Sequence, residues 1–316
     1  MSNLFPVPNT LKLAEYTLLV FQMEAREYFD LPSLGLLRLR REFHQAIRTL
    51  TESGEDELGR ELNLLMNPPL PVDPKLRKQV QRPAPPFVLC PDLDRCGLVE
   101  PGDQIELPVL FLGTGILAIE AFAQMLQQVG RQGLLNGHGV CELTKIEVEN
   151  GNEQRTVIWN DGPLVDSLTP LVNDLKWWLD RQPPEWNRLQ MKLISPMRLM
   201  HCGKPLFRAG FSELFPFLLR RVTSMLAAHC NVETVSDPAA LLDAAQQVEE
   251  SANQLQWRDW RPLTAERGGQ DLGGLYGALE LTGSELAELI WVLQLGSLFQ
   301  VGKGAPYGAG CYQLFF

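Results

Sequence analysis

An internal duplication is the feature of this sequence that most constrains its fold. Two glycine-rich segments, GHGVCEL at 137–143 and GAGCYQL at 308–314, each follow a helical pattern and lead into a closing strand. Both halves of the chain carry the same order of patterns: strand, helix, strand, strand, helix, strand. A repeat of this length indicates two copies of one supersecondary unit, each with its own sheet, rather than one continuous sheet.

The individual elements follow from hydrophobic periodicity. Runs of β-branched and aromatic residues indicate strands, and apolar residues three or four positions apart indicate helices. In the first half we predict strands at 13–21, 87–90, 103–113 and 139–150 and helices at 33–50 and 116–130. In the second half we predict strands at 189–199, 255–260, 273–283 and 310–316 and helices at 210–230, 238–251 and 284–296.

This order predicts an α+β fold of two tandem ferredoxin-like (βαββαβ) domains, each with an antiparallel sheet covered by helices on one face. A length of 316 residues suits two hydrophobic cores. We expect an N-terminal domain over 1–150, a connecting segment over 151–188 and a C-terminal domain over 189–316. The connecting segment is expected to pack between the domains through its tryptophans, which are Trp177, Trp178 and Trp186.

The charge of the chain limits the kind of partner it can bind. Lys and Arg together number 28 against 38 Asp and Glu, which gives a net charge of −10. General binders of polyanions owe their affinity to many phosphate contacts. Any nucleic-acid site must therefore be local. The tract 75–82 is the obvious local candidate, because it contains Lys75, Arg77, Lys78 and Arg82 without an acidic residue, although such tracts are usually solvated loops.

The segment 296–310, GSLFQVGKGAPYGAG, holds five glycines and one lysine between a predicted helix and the last predicted strand. Glycine permits positive φ and close backbone approach, so such a loop can direct N–H groups at phosphate oxygens, with Lys303 as a point charge. The segment does not fit a nucleotide-binding P-loop, because Gly304 follows the lysine and a strand comes next. A purely structural glycine turn is the alternative interpretation.

Several stretches spread over nearly the whole chain resemble a known protein family. They are LPSLGLLRLRREF, PPFVLCPD, EPGDQIELPVLFLG, GLLNGHGVCEL, ISPMRL, GFSELFPFLLRRV, LQWRDW, GGLYGALELTG and LGSLFQVGKGAPYGAGCYQL. The last contains the glycine-rich loop that is the hallmark of the superfamily. On these stretches the chain resembles the CRISPR-associated precursor-crRNA-processing endoribonucleases of the RAMP superfamily, in particular the branch with a characteristic C-terminal domain.

The resemblance implies that the chain binds CRISPR repeat RNA, within precursor crRNA, across both domains. It implies metal-independent cleavage that leaves a 2′,3′-cyclic phosphate, with no cofactor. It also brings other subunits of a CRISPR effector complex into consideration as partners. The longest apolar run, 107–119, is shorter than the roughly 20 residues of a membrane helix. We therefore expect a cytoplasmic protein with no membrane partner.

Cleavage of this kind needs a base for the ribose 2′-OH, a cation for the phosphorane and an acid for the leaving oxygen. On the first helix Arg41, His44 and Arg48 fall at i, i+3 and i+7, so we expect the imidazole between two guanidinium groups. Two neighbouring cations favour the neutral, basic form of histidine. The alternative is a solvated helix face with an incidental histidine. The predicted catalytic residues are His44 and Lys303, with Arg41 as a second cation for the phosphorane.

The predicted RNA-binding residues come from the first helix, the basic tract and the two glycine-rich segments. They are Arg41, Arg48, Lys75, Arg77, Lys78, His138, Gly302, Gly304, Gly308 and Gly310.

A function from another class stays open, namely a non-catalytic RNA-binding or scaffolding subunit of a CRISPR effector complex. Gln300 favours it, because similar proteins often carry a histidine at this position. The segment 262–267 favours it as well, because it lacks an arrangement of Arg, Tyr, Ser and Arg that they often have. His44 and the Gly302-Lys303-Gly304 sequence favour the endoribonuclease.

Overall fold

The computed structural model of the chain describes residues 7–54, 56–151, 154–162, 164, 168–182, 187–259 and 273–316. Two features singled out in the sequence, Trp186 and the segment 262–267, lie outside these residues. No helix in the described part of the chain is long and apolar enough to cross a bilayer.

The described strands follow the predicted order, with short additional strands between them. They are β1 (Glu15–Ala25), β2 (Phe29–Leu31), β3 (Phe87–Leu89), β4 (Gly97–Val99), β5 (Gln104–Leu112), β6 (Cys141–Glu149), β7 (Arg155–Asn160), β8 (Asn173–Asp174), β9 (Arg188–Met197), β10 (Met200–His201), β11 (Lys204–Pro205), β12 (Glu249–Asn253), β13 (Gln256–Arg258), β14 (Gly274–Thr282) and β15 (Tyr312–Phe315).

The described helices are α1 (Leu39–Glu52), α2 (Asp56–Met66), α3 (Pro74–Arg77), α4 (Ile119–Gln132), α5 (Leu175–Leu179), α6 (Phe211–His229), α7 (Pro238–Gln247) and α8 (Leu286–Phe299). Short 3-10 turns occupy Asn9–Leu13, Gly35–Arg38, Gly113–Ala118 and Ala305–Tyr307.

The first sheet has the strand order β3-β5-β1-β6-β7, and every pair in it is antiparallel. Strand β1 lies between β5 and β6, so that Phe21 is paired with Leu107 on one side and with Ile146 on the other. These side chains are buried in one core with the apolar faces of α1 and α4. The order of the four main strands is that of a ferredoxin-like domain.

The second sheet repeats this arrangement in the order β12-β14-β9-β15, again with antiparallel pairs, and β13 also pairs with β14. Helices α6, α7 and α8 pack with it around a second core. The prediction of two tandem ferredoxin-like domains with antiparallel sheets is therefore confirmed.

Among the differences from the predicted elements are a shorter helix and an additional one. The helix predicted over 238–251 ends at Gln247, because Val248 has an extended backbone and Glu249 begins β12. Strand β12 lies at the edge of its sheet and is largely exposed, so its sequence carries no apolar alternation. Helix α2 was not predicted. Its short apolar face consists of Leu62, Leu65 and Met66, which pack into the first core.

The segment predicted to connect the domains contributes to the first sheet. Strand β7 pairs with β6 and β8 pairs with the start of β1. Leu175 and Leu179 of α5 are buried in the second core, and Trp178 packs against that core. The limits predicted for the domains, 1–150, 151–188 and 189–316, stay predictions.

The two domains share apolar and polar contacts. Val88 and Leu110 of the first sheet are buried in the same core as the second domain. His229, at the end of α6, is 3% exposed, and its Nε2–H donates to the carbonyl of Ala84 at 2.8 Å. Burial lowers the pKa of His229 to about 4, so the ring is neutral at neutral pH. It therefore serves the contact between the domains.

Candidate functional site

The glycine-rich loop between α8 and β15 folds tightly against the end of β9. Gly302 has φ +106°, and a Cβ atom there would lie 2.7 Å from the carbonyl oxygen of Arg198. Gly310 has φ +72°, and its Cβ would lie 1.7 Å from the carbonyl oxygen of Val301. Only glycine fits these two positions, because a side chain would meet both a forbidden backbone region and a backbone atom.

The backbone N–H groups of this loop are largely used within the protein. Lys303 N–H donates to Arg198 O at 2.8 Å, and Gly310 N–H donates to Pro196 O at 2.9 Å. Gly308 N–H donates to Ala305 O at 3.2 Å. The expectation that Gly308 and Gly310 present amides to RNA phosphate therefore needs correction. Folding of the loop already satisfies these donors, and the exposed side chain of Lys303 is what the loop offers to a ligand.

The loop also inserts a tyrosine into the N-terminal domain. Tyr307 is 5% exposed and belongs to the core of the first domain. Its ring centroid lies 6.1 Å from that of Phe43 on α1 and 5.9 Å from that of Phe87 on β3. The guanidinium of Arg40 lies 5.9 Å from the centroid of the same ring, which is cation–π distance. The loop of one domain is thus fixed against the first helix of the other.

His44 lies on the face of α1 that carries Arg40. Burial lowers the pKa of this half-exposed imidazole, and the charges of Arg40 and Arg48 lower it further. The prediction that Arg41 flanks His44 is wrong, because Arg40 takes that place. Residues four apart lie above one another on a helix, whereas Arg41 is rotated toward another cavity of the first domain. Since Arg40 packs over Tyr307, the face bearing His44 is the one near the glycine-rich loop.

A second feature of the site is a cavity of about 510 Å³ between the domains, which we call the basic cavity. Segment 78–84, the end of β9, helix α6 and the glycine-rich loop form its walls. Six cationic side chains and, among the described residues, no acidic one line it: Lys78, Arg82, Arg198, Arg220, Arg221 and Lys303. This concentration of positive charge is what an acidic protein needs in order to attract a phosphate group locally.

Part of the basic cavity is predictable from the sequence. The structure brings Lys78 and Gly302 to it together with Lys303, as the prediction of a shared RNA-binding surface requires. Lys75 and Arg77 are exposed on α3 and do not line it. Arg198, Arg220 and Arg221 were missed. The adjacent arginines in GFSELFPFLLRRV were the available signal for the last two.

Arg221 fixes the beginning of the loop. Its Nε and one terminal nitrogen donate to the carbonyl of Phe299 at 3.2 and 2.9 Å, and Nε also donates to the carbonyl of Gln300 at 3.1 Å. Burial lowers the pKa of Arg221 to about 10, so it remains protonated at neutral pH. Its guanidinium therefore satisfies carbonyl groups at the C-terminal end of α8, and its positive charge adds to the positive potential of the basic cavity.

Gln300 points toward the other domain. It is 1% exposed, and its Nε2 donates to the carbonyl of Leu89 at 2.9 Å. Its φ of +54° is unusual for a residue other than glycine, and the turn out of α8 imposes it. Gln300 thus contributes to the contact between domains rather than to the exposed surface.

His138 and Arg41 lie in a separate cavity of about 570 Å³ in the N-terminal domain, which we call the mixed cavity. The turn 134–138 and the start of α1 form two of its walls. The structure therefore divides the predicted residues into separate groups. Lys78 and Lys303 line the basic cavity, His44 lies on the face of α1 that carries Arg40 and Arg48, and Arg41 and His138 line the mixed cavity.

Family models match both halves of the chain. A model described as CRISPR-associated endoribonuclease Cas6 matches residues 191–312, and a model described as an N-terminal domain matches residues 14–170. No curated protein sequence matches this chain. The resemblance seen in the sequence is therefore confirmed by the family model of the C-terminal half.

Solved structures share the fold over nearly the whole chain. A Cas6 product complex has a TM-score of 0.55 at 16% identity and covers 95% of this chain and 100% of its own. Thermus thermophilus Cas6 has a TM-score of 0.54 at 15% identity, with 96% and 99% covered. A partial Cas6-RT-Cas1–Cas2 complex has a TM-score of 0.55 at 15% identity over 98% of this chain but 47% of the longer one. At such identities the similarity establishes the fold.

Proposed function

We propose that this chain binds CRISPR repeat RNA and cleaves it within precursor crRNA, because residues 191–312 match the family model described as CRISPR-associated endoribonuclease Cas6. One observation carries the proposal. The glycine-rich loop holds Lys303 in the basic cavity, and four residues later it holds Tyr307 under Arg40, on the helix face of His44. A phosphate site and a candidate base are thereby connected by one short, rigid loop.

RNA binding rests on the basic cavity. Its cations come from both domains, so an RNA backbone that neutralises them lies across the boundary between domains. The net charge of −10 opposes binding elsewhere on the surface. Few phosphates are therefore contacted, and the affinity depends only modestly on salt.

Cleavage proceeds without metal in this proposal. The neutral imidazole of His44 takes the proton of the ribose 2′-OH while the 2′ oxygen forms a bond to phosphorus. The bond between phosphorus and the 5′ oxygen breaks, and that oxygen takes a proton from a water molecule, whose hydroxide then accepts the proton held by His44. Lys303 and Arg40 stabilise the negative charge of the phosphorane. The products are a 2′,3′-cyclic phosphate and a 5′-hydroxyl.

The environment of His44 supports its role as base. Burial and two arginines lower the pKa of the ring, so it is neutral and able to accept a proton at neutral pH.

Other CRISPR proteins are proposed as partners, because one similar structure is described as a partial Cas6-RT-Cas1–Cas2 complex. The burial of Gln300 against Leu89 weakens the argument for a scaffolding subunit, since this position does not face a ligand.

The test is incubation of the protein with the repeat RNA encoded beside its gene, in the presence of a chelator. Wild-type protein should cleave at one position and leave a cyclic phosphate. His44→Ala should reduce the single-turnover rate by about two orders of magnitude or more, with little change in affinity. His201→Ala is the matched control, because this histidine is exposed on β10. An inactive wild-type protein that still binds the repeat would establish the scaffolding function instead.

A further inference from the structure

The mixed cavity is lined by residues that have no role in the proposed cleavage reaction. It is lined by the aromatic residues Tyr28 and Phe29, by both signs of charge and by the backbone of a tight turn at Asn136. Its volume of about 570 Å³ lies within the range of small-molecule sites. Its charged lining consists of Asp30, Arg38, Arg41 and Glu42, and His138 lines it as well.

Glu42 is the buried acceptor of this cavity. Its side chain is 6% exposed, which is unusual for a carboxylate. Burial raises its pKa, while a hydrogen bond from the backbone of Asn136 and the charge of Arg41 act in the opposite direction. No ion pair in the described part of the chain joins Glu42 to Arg38 or Arg41. A carboxylate accepts up to about four hydrogen bonds, so Glu42 has capacity left for a ligand.

Arg38 is the complementary donor. It is the last residue of the 3-10 turn before α1, four residues before Glu42, and it lines the same cavity. Its Nε is buried and has no hydrogen-bond partner among the described residues. A buried donor without a partner is unfavourable unless a ligand satisfies it, and the carboxylate of Glu42 in the same cavity has acceptor capacity left. The ligand must therefore present donors and acceptors side by side.

The entrance of the cavity adds a stacking surface. Tyr28 is 67% exposed, although large aromatic side chains are usually buried. His138 is exposed on the turn across the cavity. Unpaired RNA bases are bound by stacking on such rings and by hydrogen bonds to their edges.

We propose that the mixed cavity binds a guanine base. The carboxylate of Glu42 accepts from N1–H and the N2 amine, Arg38 or Arg41 donates to O6 and N7, and the base stacks on Tyr28. Adenine does not fit this pattern, because it carries an amine in place of O6 and an acceptor in place of N1–H. The source of the base, an unpaired guanosine of the repeat RNA, rests on the function proposed above.

Calorimetric titration of the intact chain with 5′-GMP and 5′-AMP tests the chemistry without any need for cleavage. GMP should bind about tenfold more tightly or better. Glu42→Gln, which keeps the shape of the side chain, should remove most of this preference. Asp30→Asn is the matched control, because this exposed acid lines the same cavity, and it should leave the preference intact. Equal affinity of the folded wild-type protein for the two nucleotides would overturn the proposal.

A second arm identifies the source of the base. Repeat RNA in which unpaired guanosines are replaced by inosine lacks the N2 amine and should bind more weakly to the wild type but not to Glu42→Gln. GMP preference without an effect of inosine would retain the guanine site and exclude repeat RNA as its source. Neither measurement reads out cleavage, so these results are distinguishable from full activity in His44→Ala, which would contradict the catalytic proposal.

Discussion

The glycine-rich turns of the two domains occupy equivalent positions, between the second main helix and the last main strand, but they make different contacts. The turn 133–139 stays on its own domain and leaves His138 exposed at the mixed cavity. The turn 302–310 crosses to the other domain, buries Tyr307 there and leaves Lys303 in the basic cavity. The two domains thus share one type of glycine-rich turn. The side chains between the glycines determine whether the turn packs into the neighbouring domain or borders a cavity of its own domain.

The largest expected effect concerns the anchor. Tyr307→Ala removes a ring packed between Phe43 and Phe87, and should lower the free energy of unfolding by about 3–5 kcal/mol. His138→Ala, in the equivalent turn, should change it by less than about 0.5 kcal/mol, because the side chain is exposed. Urea denaturation measures both variants. Similar losses in the two would show that the turns do not differ in this way.

The free energy of unfolding should also fall in acid, because His229 lies buried at the contact between the domains. The unfolded His229 takes up a proton below pH 6.5, whereas the folded residue does so only below about pH 4. The unfolded state therefore binds more protons in this interval, and the free energy of unfolding falls as the pH falls through it, by roughly 3 kcal/mol in total. The measurement is urea denaturation across this interval in the wild type and in His229→Gln, which cannot titrate. Parallel pH dependence of the two proteins would contradict the prediction.

A smaller effect is expected at the exposed part of the second turn. Lys303→Ala should weaken binding of repeat RNA roughly tenfold, and should reduce the slope of log K against log salt by about 0.7–0.9. Lys75→Ala is the control, because this exposed lysine lies outside the basic cavity. Filter binding at several salt concentrations gives both quantities, and melting temperatures should not change. An unchanged slope for Lys303→Ala would make the second turn purely an anchor.

The smallest effect concerns the pH dependence of cleavage. Because Arg40 and Arg48 lower the pKa of His44, their replacement by Gln should raise it and move the acid limb of the single-turnover rate to higher pH. Burial is the larger cause, so the limb should remain below its position for a free imidazole. Arg41→Gln should leave the limb in place, since Arg41 faces the mixed cavity. A shift in Arg41→Gln alone would restore the arrangement predicted from the sequence.

The sequence predicted the fold well because the fold depends on local periodicity and on the repeat. Strand β12 and helix α2 were not predicted, because an exposed edge strand and a short amphipathic helix have weak hydrophobic patterns. In the candidate site, spacing along one helix predicted that two arginines flank His44, but it named Arg41 where the structure has Arg40. The basic cavity joins residues from distant parts of the chain, so only the topology reveals it.

The burial of Tyr307 has a consequence for the synthesis of the chain. Among the described residues of the C-terminal half, Tyr307 is the one that belongs to the core of the N-terminal domain. While the ribosome translates the C-terminal half, the space between Phe43 and Phe87 stays unfilled, and apolar surface there is open to water or to chaperones. The two domains should therefore unfold in one cooperative transition, and separate expression of the N-terminal half should give an aggregation-prone intermediate.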